Sequence, residues 1–322
     1  MKKYLIYVVL MILGGVIAYI ILGDIFTNDL KKDNTNPYAY SLGNITNIDP
    51  AMIKYDEVKR IGLTIEHPVA LAYQSGKLVI AYRHHIQAID TMGYEIFSKE
   101  MSENISCITL DSSGGIFIGC TDHVEVYDSE GNLVNKWDVL DTNTYITSIA
   151  LKSTTVFVAD AGIKKVYKYN IQGDLQSSFD GTGRLEVDYG FIIPSPYFDL
   201  AIDPDNQLWV ANTGIQNLEN YSDDGALRSF WGESGLTLEG FSGCCNPAHF
   251  CILSNGSFVT CEKGLVRIKV YFPSGELDGF VATSKDFEKN ADPADLTSDE
   301  DDRIYVLDKT GKMIRKFERK TI

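Results

Sequence analysis

No basic run long enough to follow a polyanion occurs in this chain of 322 residues, where 29 Lys and Arg face 44 Asp and Glu. The net charge of -15 repels phosphate at long range, which excludes nucleic acid and anionic lipid surfaces as partners. The pair at 31–32 and the tail KMIRKFERK are too small to offset that field. Only 9 prolines stand beside 27 glycines, with ordinary hydrophobicity and many Tyr and Phe, so the chain is neither fibrous nor disordered. No segment carries a sustained helical stripe, which excludes helical solenoids. The familiar sequence signatures of catalysis are missing as well. There is no G-x-S-x-G, P-loop, H-E-x-x-H, EF-hand loop, or G-x-G-x-x-G before a helix.

Charge is also absent from YLIYVVLMILGGVIAYIILG, residues 4–23. Twenty residues at 1.5 Å per residue match a hydrocarbon core of roughly 30 Å, so this segment is expected to cross a membrane as one helix. A cleaved signal peptide is the alternative, but its apolar region is shorter and ends in a small-x-small site, whereas this one ends IILGDIF. Lys2 and Lys3 ahead of the span place the N-terminus in the cytoplasm. The body is then extracytoplasmic, periplasmic or extracellular, at the cell membrane. Residues 24–51 are rich in Asn, Asp and Thr without periodicity and read as a tether. The expected domains are therefore an anchor over 1–23, the tether over 24–51 and a folded body over 52–322.

What the body contains is a repeat. VFVADAGIKKVYKYNIQGDLQSSF (156–179), LWVANTGIQNLENYSDDGALRSFWG (208–232) and FVTCEKGLVRIKVYFPSGELDGFV (258–281) share one plan. A short apolar strand, a polar turn, an alternating strand ending in an aromatic, an x-x-G turn and a further strand follow each other. One more strand precedes each. Aligned first-strand positions Leu71, Ile108, Ile149, Leu200, Phe250 and Leu296 are spaced by 37, 41, 51, 50 and 46 residues. That is the period of four-stranded propeller blades. The sixth unit ends after three strands, while YDEVKRIGLTI (55–65) stands alone before the first. Adding it to the last blade closes the ring and covers an exposed edge. The expected fold is all-β, a six-bladed β-propeller whose N-terminal strand completes the last blade, preceded by one transmembrane helix.

The stretches FVADAGIKKVYKYNIQGDL, LAIDPDNQLWVANTG and FWGESGLTLEGF…P resemble NHL repeats across roughly 55–320. NHL propellers include protein- and RNA-binding modules and are related by fold to hydrolases and lyases that hold a metal on the channel axis. The resemblance therefore implies a fold and leaves function to the site.

Antiparallel alternation puts the loop leading into each first strand and the loop after each second strand on one face. GFSGCCNPAHF (240–250), YRHH (82–85), CTDH (120–123) and TCEKGL (260–265) all fall there. One residue before each anchor lie Ala70, Cys107, Ser148, Asp199, His249 and Asp295, a ring at the channel mouth. The five polar members form the candidate ligand site, able to bind a cation, polarise a water or hydrogen-bond a ligand. A hydrated channel alone also accounts for polar residues there. Cys244, Cys245 and Cys261 with His249 form a second candidate, for a metal or redox function. Zn²⁺ or Cu⁺ suits thiolates and Ca²⁺ the carboxylates, a vicinal disulfide is the redox form, and free structural thiols are the plain one. His84-His85 reads as a ligand pair or a surface tandem, and the acidic run 299–302 as a Ca²⁺ site or a solvated turn. The function that follows is a membrane-anchored module binding a protein or small molecule through the ring face. A metal- or thiol-dependent enzyme at the channel mouth is the alternative, and no cofactor is identified.

Overall fold

The computed structural model describes Tyr4, Tyr7 and residues 11–19, 46–182 and 189–321. The chain divides into two units, Met1–Leu42 and Gly43–Ile322. In the first, Tyr4, Tyr7 and residues 11–19 are helical. Nine consecutive residues span about 14 Å, and among the described residues no helix is long and apolar enough to cross a membrane. The transmembrane helix expected over 4–23 is therefore not shown, and the remainder of that segment, like residues 24–45 of the tether, lies outside the described residues.

The second unit contains six four-stranded antiparallel sheets. Blade 1 opens with Pro68–Gln74, blade 2 with Ile105–Leu110, blade 3 with Ile146–Lys152, blade 4 with Leu200–Ile202, blade 5 with His249–Ile252 and blade 6 with Asp295–Ser298. Five blades use four consecutive strands. Blade 6 takes its outermost strand from the other end of the chain, Tyr55–Gly62 pairing with Met313–Arg319. The six-bladed ring and its closure stand as expected from the repeat.

A steric rule explains the x-x-G turn of each repeat. Gly173, at φ 94°, sits against the Trp137 indole that ends the outermost strand of blade 2, and a Cβ there would lie 2.5 Å from the ring. Gly225 meets Phe179 of blade 3 at the same 2.5 Å. The pairing recurs with Gly131 on Phe97, Gly275 on Trp231 and Gly93 on Ile61. The outer strands of blades 1 to 4 and the closing strand of blade 6 thus each bring a bulky side chain onto the turn glycine of the next blade. Ile61 belongs to the closing strand, so the N-terminal strand supplies the same contact that strands within the other blades supply. Core clusters accordingly lie between blades. One joins Val79 and Ala81 of blade 1 to Ile105 and Ile118 of blade 2.

Closure also involves charge. Arg315, 2 % exposed, donates to Glu57 of the closing strand at 2.9 and 2.7 Å. Burial alone would raise the Glu57 carboxyl, but hydrogen bonds from Arg60 and Arg315 outweigh it and bring the group from 4.5 to about 2. A value depressed in the folded state gives stability that is complete above pH 4.5 and lost as pH falls towards 2. Urea unfolding of the wild type and Glu57→Gln across this range should show a stability gap that is constant above the upper limit and vanishes near the lower one. A gap independent of pH would mean that the ion pair does not secure the closing strand.

Candidate functional site

The innermost strand of each blade has a sheet partner on one side only, and its other edge faces the channel. Backbone donors on that edge need acceptors. The ring positions supply them, largely from one blade to the next. Asp295 of blade 6 accepts from Leu71 N of blade 1 at 2.7 Å and from its own neighbour Leu296 N at 2.9 Å. Asp199 of blade 4 accepts from Phe250 N of blade 5 at 3.0 Å and from Leu200 N at 2.9 Å. Ser148 of blade 3 donates to Asp199 at 2.6 Å and receives Leu200 N at 3.1 Å. Register shifts just ahead of Ala70, Cys107 and Ser148 set these three residues at the channel in blades 1 to 3.

All six ring residues line one cavity of about 470 Å³, with Tyr145, Tyr197 and Lys309 among the other wall residues. His249 is the only imidazole in the wall. Its Nδ1 stands 3.8 Å from Asp199 and 3.7 Å from Asp295, too far for a hydrogen bond to either. Its Nε2 is buried without a partner. Tyr197 meets the imidazole edge-on at 5.7 Å between centroids, and Lys263 Nζ lies 5.1 Å from the Tyr197 ring centre. Burial raises the Asp295 carboxyl, against the opposing charges of His249 and Lys309.

The loop 240–250 is held from beneath by a charge cluster that is entirely buried. Glu262, Arg267 and Lys269 are each 0 % exposed. Arg267 reaches Glu262 at 2.7 Å and Lys269 reaches it at 2.8 Å. The cluster then grips the loop's backbone. Lys269 Nζ donates to Gly240 O at 3.0 Å, and Ser242 Oγ donates to Glu262 at 3.0 Å. Asn246 completes the hold, since Lys263 N donates to its side-chain oxygen at 2.6 Å and its amide nitrogen donates to Ser242 O and Lys263 O. The Asn246-Pro247 peptide is cis. Burial would raise the Glu262 carboxyl, but the Lys269 and Arg267 charges lower it on balance, while burial brings the Lys269 amine down to about 8.

The sulfur atoms of this loop do not gather with His249. All six cysteines are free. Cys244 Sγ touches Cys245 Sγ at 3.5 Å, with Cys244 exposed. Cys261 is buried in the seam with blade 6, among Ala294 and Leu296. Among the described residues, one group of three His, Cys, Asp or Glu has its ligand atoms within 4.8 Å of one another, and it includes none of Cys244, Cys245, Cys261 or His249. Asp199, His249 and Asp295 do not meet that spacing either. His84 and His85 are engaged by Glu103 O and Ser98 Oγ. In the acidic turn, Asp299 is held by Arg303 at 2.7 Å and by Tyr305 at 3.1 Å. Sequence reading missed Arg267 and Lys269, whose alternating pattern in VRIKVY looks like an exposed strand face.

No protein-family profile matches the chain, and no curated protein matches it. Solved structures do. A streptogramin B lyase superposes with a TM-score of 0.60 at 13 % identity over 84 % of this chain and 100 % of that one. The virginiamycin B lyase from Staphylococcus aureus gives 0.57 at 14 % identity, over 84 % and 89 % of the two chains. The WD40 β-propeller domain of Doa1 gives 0.53 at 14 %, over 79 % of each. Identities this low show the propeller fold and nothing finer. Membership of the NHL family is accordingly not established, although the six-bladed fold it implied is.

Removing the charge of Glu262 leaves two cations buried without their partner. Glu262→Gln should therefore cost about 3–5 kcal/mol in denaturant unfolding. Labelling of Cys244 by a thiol reagent should also speed up, because the loop loses its anchor. A cost below about 1 kcal/mol with unchanged labelling would show that the cluster does not hold the loop.

Proposed function

We propose that the protein is a non-enzymatic binding module that engages a protein partner through the ring face, with His249 at the centre of the contact. One observation carries this reading. Both carboxylates beside His249 are engaged by backbone amides, whereas His249 Nε2 is buried with no partner. A buried polar atom in that condition costs free energy, and a partner seated at the mouth that shifts the imidazole and hydrogen-bonds it would relieve that cost. The lyase neighbours bring only a shared fold to the question.

The apolar segment 4–23 is proposed as a single-pass anchor that leaves the propeller on the extracytoplasmic side. Its support is the uncharged run of sequence preceded by Lys2 and Lys3. Anchoring in this way would confine the ring face near partners in the same bilayer and raise their effective concentration. Around the mouth, Tyr145 and Tyr197 offer the amphipathic aromatic surface that protein contacts favour.

A photo-crosslinking residue placed at Tyr145 in the full-length protein in its native membrane tests this. Capture of one discrete species is expected from that position and not from Leu175 on the outer edge of blade 3. His249→Ala should reduce capture about 30-fold, the effect of losing a contact worth about 2 kcal/mol. Equal capture from both positions, or capture indifferent to His249, would contradict a ring-face binding site.

A further inference from the structure

A second buried site lies in blade 2, and the other blades reveal it. At the end of the second strand each blade carries a side chain that faces the start of the third. In blade 1 Tyr82 donates to Gln87 at 3.0 Å, and in blade 4 the Asn212 amide nitrogen lies 3.3 Å from each oxygen of Glu219. Glu262 pairs with Lys269 at 2.8 Å in blade 5, and Asp308 faces Arg315 at 4.0 Å in blade 6. In blade 3 Asp160 is bonded instead to backbone amides, including Tyr145 N at 2.9 Å. In blades 1, 4, 5 and 6 these arrangements match donor with acceptor or plus with minus across the hairpin, as burial requires, while Asp160 Oδ2 of blade 3 is left without a partner.

Blade 2 places a different chemistry there. Cys120 ends its second strand, Glu125 lies in its third with Ile118 as Cα partner, and the hairpin between them adds His123. The three are buried, at 1, 4 and 4 % exposure, with one ligand atom of each within 4.8 Å of the others. Asp122 holds His123 Nδ1 at 2.7 Å, while Nε2 lies 3.3 Å from Glu125 Oε1. A neutral imidazole donates from one nitrogen only. With that donor assigned to Asp122, Nε2 is the nitrogen left to a metal, whereas a protonated imidazolium donates to both carboxylates. A positive charge, carried by a protonated His123 or by a metal ion, balances the two carboxylates. Lys136 meets part of the demand from the outer strand, 3.0 Å from Glu125 and 3.1 Å from Glu103, but its side chain is 46 % exposed and able to withdraw.

We propose that Cys120, His123 and Glu125 form a metal site for a borderline divalent ion such as Zn²⁺, with Glu103 or water completing the set. One thiolate, one imidazole and one carboxylate are ligands of that class of ion. Asp122 acts as the positioning residue, fixing the tautomer that leaves Nε2 to the metal. Tyr127 donates to the second oxygen of Glu125 and fixes that carboxylate. Burial pushes the Cys120 thiol up to about 12, so the ion must displace a proton. Binding forms the metal–sulfur bond and releases the thiol proton to solvent. The site lies away from the channel-mouth contact and stands or falls independently of it.

Titration of the full-length protein with Co²⁺, followed by Zn²⁺, tests the site. The Cys244→Ser/Cys245→Ser background removes the exposed thiol pair from the assay. Co²⁺ should give a thiolate charge-transfer absorption that saturates at one ion per chain and bleaches on adding Zn²⁺. His123→Ala and Cys120→Ser should abolish the band, and Asp122→Asn should weaken binding by about 10–100-fold. Lys136→Met removes a competing charge without touching a ligand and should tighten binding, so the set does not depend on a variant that fails to fold. No thiolate band in the protein with Cys120 intact would overturn the proposal. So would a band that survives His123→Ala. If the cluster is only a set of buried ion pairs, Lys136→Met lowers stability and no Co²⁺ signal appears.

Discussion

The channel mouth depends on a constraint that every ring of sheets must meet: the innermost strands have hydrogen-bonding edges with no strand to pair with. Here side chains take that part. Asp295 reaches Leu71 N across the boundary between blades 6 and 1, and Asp199 reaches Phe250 N between blades 4 and 5. The same carboxylates therefore fix the relative positions of neighbouring blades and shape the wall of the channel. That duty holds both carboxylates in fixed orientations at the mouth. His249 lacks this duty, which is why the functional reading centres on it.

Around the channel, blades 1, 4, 5 and 6 carry a buried polar pair that ties the second strand to the third, while Asp160 of blade 3 binds backbone amides instead. In blade 5 the pair has grown into the Glu262, Arg267 and Lys269 cluster, which holds the backbone of 240–242 in place. In blade 2 the pair has become Cys120 and Glu125 with His123 beside them. The loop with the most conspicuous sequence is thus shaped by residues outside it, and the site with the clearest ligand chemistry lies in a hairpin of ordinary appearance.

Much of the fold was legible in the sequence because its determinants are local and repeated. The turn glycine and the bulky residue that docks on it return in blades 1 to 5, so the blade frame and the closing strand could be read from spacing. Ring positions followed from the same frame. Their partners did not, since Asp199 and Phe250 are 51 residues apart and a backbone amide leaves no mark in sequence. The adjacent cysteines drew attention through rarity, yet Cys261 turns into a seam between blades. The spacing C-x-x-H-x-E at 120–125 was a signal of the metal type, but it gains force only beside the complementary pairs of the other blades. The N-terminal anchor rests on hydropathy alone.

Amide hydrogen exchange at the channel edge tests most directly the claim that the ring carboxylates pin the blades. Asp199→Ala should strip protection from Phe250 N and leave Leu71 N as in the wild type, and Asp295→Ala should do the reverse. Protection unchanged at both amides would contradict the claim, because the carboxylates would then not be what holds neighbouring blades together.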